Sequence, residues 1–155
     1  MMRMLLAPVI TCMVLLLASH VYASEAEADG ILGQWFTDGN ESVVEIYKCG
    51  DLYCGKIVWL KEPTKEDGSE KVDKNNPDES KRDRKIIGLN IVSDFEYSGR
   101  NSWSNGSIYD PDKGKTYSCK AKLKGDELSI RGFIGISAFG RTTVWVRKEA
   151  EQELQ

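Results

Sequence analysis

Apolar and polar residues alternate one by one through the C-terminal part of the chain. Within residues 115–123, Tyr117, Cys119, Ala121 and Leu123 fall on one face, and Thr116, Ser118, Lys120 and Lys122 on the other. Within residues 126–134, Leu128, Ile130, Gly132 and Ile134 oppose Glu127, Ser129 and Arg131. A period of two belongs to a strand, and strict alternation to an antiparallel strand with one face buried and one wet. Asp110-Pro111-Asp112-Lys113-Gly114 and Lys124-Gly125-Asp126 supply the turn residues of hairpins between such strands. A Gly-punctuated apolar connector at 135–140 leads to a last strand at 141–148.

Upstream, runs rich in Val, Ile, Tyr, Phe and Trp lie at 31–37, 42–48, 53–60, 86–97 and 103–109, separated by turn clusters such as Asp38-Gly39-Asn40. No part of the chain beyond the leader sustains a helical apolar period. About eight short strands in series either close into a barrel or pack as two sheets. Closure removes exposed strand edges. The pattern therefore predicts an all-β chain, a single small antiparallel up-and-down barrel, with a sandwich as the second arrangement.

Three segments stand outside the strand pattern. Residues 1–23 run from Arg3 through an apolar stretch to Val21-Tyr22-Ala23, the order of a secretory signal peptide. The stretch is shorter than the roughly 20 residues of a membrane span. Cys12, within it, raises lipidation only as a lesser alternative. Residues 24–30 are acidic and Ala-rich and read as a loose leader. Residues 61–85 are dense in Lys, Asp, Glu, Asn and Pro; they read as a long solvated or partly disordered loop. A charged tail fills 149–155. The predicted single domain is 31–148.

Removal of the leader takes away all four Met and the sole His, His20, and leaves about 132 residues at a net charge near −4. A chain without histidine lacks the commonest general base and metal ligand. Its mildly acidic charge gives no footprint for nucleic acid. Cys49, Cys54 and Cys119 remain in a compartment that permits disulfides. Cys49 and Cys54 flank a four-residue hairpin loop, which would place them opposite each other at bridging distance. Pairing of Cys54 with Cys119 is the alternative. In the first arrangement Cys119, on the inward phase of its strand, is a buried thiol.

The ordered segments Gly33-Gln34-Trp35, Leu52-Tyr53-Cys54-Gly55-Lys56-Ile57-Val58, Asn76-Pro77-Asp78, Gly106-Ser107-Ile108-Tyr109-Asp110-Pro111 and Arg131-Gly132-Phe133-Ile134-Gly135 resemble the bacterial family DUF2147 over nearly the whole mature chain. That family has no established activity; the resemblance implies an exported envelope protein and a fold. The chain also resembles lipocalin-like barrels. Those open with Gly-x-Trp and set a late Arg across the Trp. Here the pattern falls on Gly33, Trp35 and either Arg141 or Arg147, and implies a cation over an indole at the barrel floor.

Other motifs yield to plainer readings. Gly114-Lys115-Thr116 opens a strand where a phosphate-binding loop would open a helix. Asp110-x-Asp112-x-Gly114 and Asp73-x-Asn75 lack the final acidic ligand of a calcium loop and read as turns. Residues 81–85 are a mixed-charge connector. Trp35, Trp59, Trp103 and Trp145 are the large apolar anchors. Trp59 and Trp103, with Tyr117, are the candidates to line a ligand cavity. The sequence assigns no catalytic residue, no metal ligand and no cofactor. It points to a periplasmic, non-enzymatic barrel binding a small apolar or amphipathic ligand. The alternatives are a filled barrel contacting envelope proteins, and a carboxylate hydrolase with a raised carboxyl pKa.

Overall fold

The computed structural model describes residues 25–149; the expected signal peptide and the last six residues of the charged tail lie outside them. Eight strands follow in order: β1 (Gly33–Phe36), β2 (Ser42–Cys49), β3 (Leu52–Leu60), β4 (Asn90–Gly99), β5 (Ser102–Asp110), β6 (Lys115–Lys124), β7 (Glu127–Phe133) and β8 (Arg141–Arg147). Each pairs antiparallel with its neighbours, and β8 pairs back onto β1, so the sheet is a closed up-and-down barrel. The closing seam is short: only Trp35 with Arg147 and Phe36 with Val146 are in register.

Because the strands run up and down, their connections fall alternately at two ends. The β2–β3, β4–β5 and β6–β7 hairpins share one end with the N-terminal segment. The β1–β2, β3–β4, β5–β6 and β7–β8 connections share the other. Inward residues fill the first end: Trp35, Phe95, Trp103 and Leu128 are all at most 1% exposed. The alternation in β6 and β7 survives as expected, with Cys119, Ala121, Leu128 and Ile130 inside.

Of the residues read as a loose leader, 25–30 are ordered. A short helical turn spans 25–31, with Ala28 and Ile31 buried. Asp29 anchors it, accepting a hydrogen bond from the Tyr53 hydroxyl at 2.7 Å and pairing with Lys48 at 2.9 Å. Two apolar side chains three residues apart, Ala28 and Ile31, pack onto the filled barrel end, a signal too short to show as helical period.

Two other boundaries differ from expectation. The strand expected from Ile86 begins at Asn90, because Gly88 takes φ +90° and turns the chain. The 61–85 segment is not a free loop; its structure is described with the mouth below.

Cys49 and Cys54 are joined by a disulfide across the β2–β3 hairpin, and Cys119 is a free, buried thiol. The bridge closes a very short loop, so loop-closure entropy limits its contribution to about 2 kcal/mol. Replacing both Cys49 and Cys54 by Ser is expected to lower the melting temperature by only several degrees and leave the barrel closed. Thermal unfolding followed by far-UV circular dichroism tests this; loss of folding on substitution would contradict it.

Candidate functional site

The sealed end shows why one side of the barrel cannot admit a ligand. The Trp35 indole N–H donates to the Ile31 carbonyl at 2.9 Å. The Arg147 guanidinium lies 4.1 Å from the Trp35 ring centroid and donates to the carbonyls of Gly30 and Leu32 at 2.7 and 3.0 Å. Arg147 therefore clamps the N-terminal turn onto the floor while covering the indole face. Arg141, the other late arginine, stands at the opposite end of β8, on the rim of the mouth.

Above the floor the upper part of the barrel and the space beneath the β3–β4 segment form one half-open pocket. A cavity of about 720 Å3 opens at the mouth. Its walls include Ile57, Ile91, Ile108, Ile130, Tyr117 and Trp145. Its rim is polar and of mixed sign: Lys74, Lys113 and Arg141 stand with Asp38, Glu62 and Asp110. An apolar chamber below a charged rim matches a molecule with an apolar body and a polar end.

A strap crosses the mouth. Residues 61–89, between β3 and β4, add no strand to the barrel. Isolated antiparallel bridges (Thr64 with Glu70, Val72 with Lys85) and backbone hydrogen bonds such as Asp73 N–H to the Arg84 carbonyl at 2.9 Å pair the segment with itself, and side chains tie it down. Asp73 is the anchor and is fully buried. Its carboxylate accepts from the Tyr109 hydroxyl at 2.6 Å, from Asn76 Nδ2 at 2.7 Å and from an Arg84 nitrogen at 2.8 Å. Burial alone would push this carboxyl up; hydrogen bonds from Tyr109, Arg84 and Asn76, and the Arg84 charge, outweigh it and hold the pKa below the usual 3.8. Burial, with the adjoining Asp73 carboxylate, pushes Tyr109 up to about 12. Two residues after Asp73, Asn75 donates to the Asp112 carbonyl at 2.8 Å in the β5–β6 turn. There Gly114 has φ +63°, and a Cβ on it would run into the Asn75 carbonyl. The mixed-charge run pairs within the strap: Lys81 with Asp78, Arg82 with Glu79, Lys85 with Glu70.

The structure separates the candidates named from the sequence. Tyr117 is on the cavity wall. Trp103 lies in the buried floor, 5.4 Å from Tyr97 between ring centroids. Trp59 meets Phe36 edge-on at 6.4 Å, in register with Val43 on the outer face. The outward turn comes from a bulge: Val44 pairs with Ile57 but Val43 with Trp59, so one extra β3 residue reverses the phase. Trp145, first read only as a packing residue, is the tryptophan on the cavity wall. Its inward phase between Thr143 and Arg147 was the available signal.

The remaining motifs resolve into local chemistry. Asp110 accepts from the backbone N–H groups of Asp112 and Lys113 and pairs with the Lys113 ammonium at 2.7 Å, as a turn former does. Cys119 is 1% exposed, and burial pushes its thiol up to about 12, far from a reactive thiolate. The carboxyls with displaced pKa values, Asp29, Asp67, Asp73 and Asp78, are all displaced downward. Among the described residues no helix is long and apolar enough to cross a membrane.

A closed eight-stranded calyx with a floor sealed by an arginine over a Gly-x-Trp tryptophan, and a cavity mouth opposite, partly covered by the strap, has the architecture of a lipocalin-like barrel. A solved protein from the human pathogen Helicobacter pylori, described as belonging to the lipocalin family, is similar at TM-score 0.69 and 25% identity, over 79% of this chain and 85% of that one. The chain belongs to DUF2147, described as an uncharacterized protein family conserved in bacteria, matched over residues 33–147. Among curated proteins no relative matches.

Proposed function

We propose that this is an exported, non-catalytic carrier of the bacterial periplasm that holds one small amphipathic ligand in its calyx. The observation that carries this reading is the cavity of about 720 Å3 with isoleucine and aromatic walls and a charged rim. That volume falls within the range of small-molecule sites. The ligand's apolar body lies against Ile91, Ile108 and Trp145, and its polar end meets the rim. The hairpin disulfide supports export. The alternative of a filled barrel that only contacts other envelope proteins loses support from the pocket above the floor. The hydrolase reading needs a carboxyl raised in a cleft, and the displaced carboxyls move the other way.

Filling the chamber tests the reading directly. Ile108 lines the cavity and is only partly buried, so Ile108→Trp has room to enter it. An apolar naphthylamine fluorophore is expected to brighten on titration with the wild-type protein and to bind the variant at least about tenfold more weakly, a difference of ~1.4 kcal/mol. Native mass spectrometry of protein purified from the envelope should show a bound small molecule in the wild type and less of it in the variant. Equal fluorophore affinity for both proteins would exclude the calyx as the site.

A further inference from the structure

The β7–β8 connection carries an exposed apolar tip. Ile134, Ile136 and Phe139 are 71%, 61% and 85% exposed, the three most exposed large hydrophobic side chains among the described residues. Such side chains normally occur singly on a protein surface; three on one short loop mark a contact site. The loop joins Phe133 to Arg141, and Gly132 and Arg141 at its two feet line the cavity, so the tip stands beside the mouth.

The tip is held out by the fold. The Arg131 guanidinium donates to the carbonyls of Ser137 and Ala138 at 2.7 and 3.1 Å and to the Thr142 hydroxyl at 2.9 Å. Lys120 reaches the Ser137 hydroxyl at 3.0 Å from the adjacent strand, where it is in register with Arg131. Three of the loop's polar groups are thus satisfied from below, and its apolar side chains point away from the barrel with nothing to cover them.

Along the strands that carry and flank the tip the charge has one sign; the acidic rim residues Asp38, Glu62 and Asp110 come from the other connections at this end. No Asp or Glu occurs in residues 128–148, nor in 113–125, while Lys120, Arg131 and Arg141 flank the loop. An apolar tip with a cationic collar fits a surface that is anionic on top and apolar a few ångströms below. A groove for a peptide would be concave; this is a protrusion. We propose that the β7–β8 loop docks the barrel, mouth first, onto anionic lipid membranes, with Phe139 and Ile136 entering the acyl boundary. This goes beyond the carrier reading and stands without it, since a filled calyx with the same loop would dock equally.

The test is vesicle flotation of the protein as its host cell processes it, with phosphatidylcholine vesicles and with vesicles containing an equal share of phosphatidylglycerol. The wild type is expected to float with the anionic vesicles and much less with the neutral ones, and added salt should release it. Phe139→Ser and Ile136→Ser should each weaken partition about tenfold, from the apolar area withdrawn. Both sites are exposed, so circular dichroism should show the fold intact. Any segment outside 25–149 is the same in all three proteins, and the comparison therefore reads the loop alone. Flotation unchanged in both variants, or no flotation of the wild type, overturns the proposal. So does a loss of self-association in the variants, by sedimentation velocity, without a change in flotation; the loop would then be a contact between proteins. Fluorophore binding to the calyx is expected to be the same in these variants, so failure of docking and failure of the carrier reading are distinguishable.

Discussion

Asp73→Ala is expected to release the strap from the mouth and cost about 3 kcal/mol. Asp73 is fully buried, and three donors converge on it. Its loss leaves the Tyr109 hydroxyl without its acceptor and the Asn76 amide with only the Tyr109 oxygen at 3.1 Å, and each hydrogen bond to a charged group contributes ~1.5–3 kcal/mol. The figure is held to the lower part of the summed range because the Arg84 side chain is 44% exposed and recovers water when freed. Asp73→Asn keeps an acceptor for Tyr109 but loses the charge facing Arg84, and should cost about half as much. Hydrogen exchange should show the loss first in 72–86, with the barrel strands protected nearly as before. Uniform loss of protection across β1 to β8 would mean that the segment is part of the global core and not a strap.

The same carboxylate sets a pH response. Its folded pKa lies below the unfolded value, so its contribution is complete at neutral pH and is lost as pH falls below the ordinary 3.8 toward the folded value. Asp78 also titrates in the strap, held down to about 2 by Ser80 and Lys81. Acid should therefore open the strap of the wild type before the barrel unfolds. Comparing exchange in 72–86 between wild type and Asp73→Asn isolates the Asp73 part of that response; identical acid profiles would remove Asp73 as its source.

The barrel was legible because period-two alternation is a local signal and eight repeats of it leave few topologies. The cavity was less so. Strand phase places a side chain inside or outside, but it does not say how deep the interior is filled. Trp103 and Trp145 share the inward phase, and only the three-dimensional stacking puts one in the floor and the other on the cavity wall. Trp59 was unreadable for a different reason: the bulge opposite Val43 reverses its phase, and bulges leave no residue signature there. The strap was missed because residues 61–85 have the composition of a solvated loop. Its order rests on two isolated backbone bridges and on one buried carboxylate whose partners, Arg84 and Tyr109, lie 11 and 36 positions away in sequence. The Cys49–Cys54 pairing was readable because both lie on one hairpin, but its geometry was not. The turn is the two residues Gly50-Asp51, and Cys49 is in register with Leu52 and Cys54 with Tyr47, so the bridge runs diagonally instead of joining directly opposed residues.

The floor arginine was narrowed to two positions by sequence and decided by register. Arg141 and Arg147 share the inward phase of β8, six residues apart, so alternation cannot separate them. The pairing of Trp35 with Arg147 places that guanidinium over the indole and leaves Arg141 at the rim. Arg147→Ala removes a cation–π contact, two charge-assisted hydrogen bonds to the N-terminal turn and a pairing with Asp126 at 3.5 Å. These act at the barrel's shortest seam, where β1 and β8 share two residue pairs. The expected loss is roughly 3 kcal/mol, allowing ~1 for the cation–π contact and the rest for the orphaned carbonyls. For a domain of this size that lowers the melting temperature by about 10 °C. Arg147→Lys keeps the charge but cannot donate to both carbonyls in the planar fork, and should recover less than half. Arg141→Ala, exposed at the mouth, should melt with the wild type. Thermal unfolding of the three variants reads all of this, and equal losses at 141 and 147 would show that the floor clamp does not hold the barrel shut.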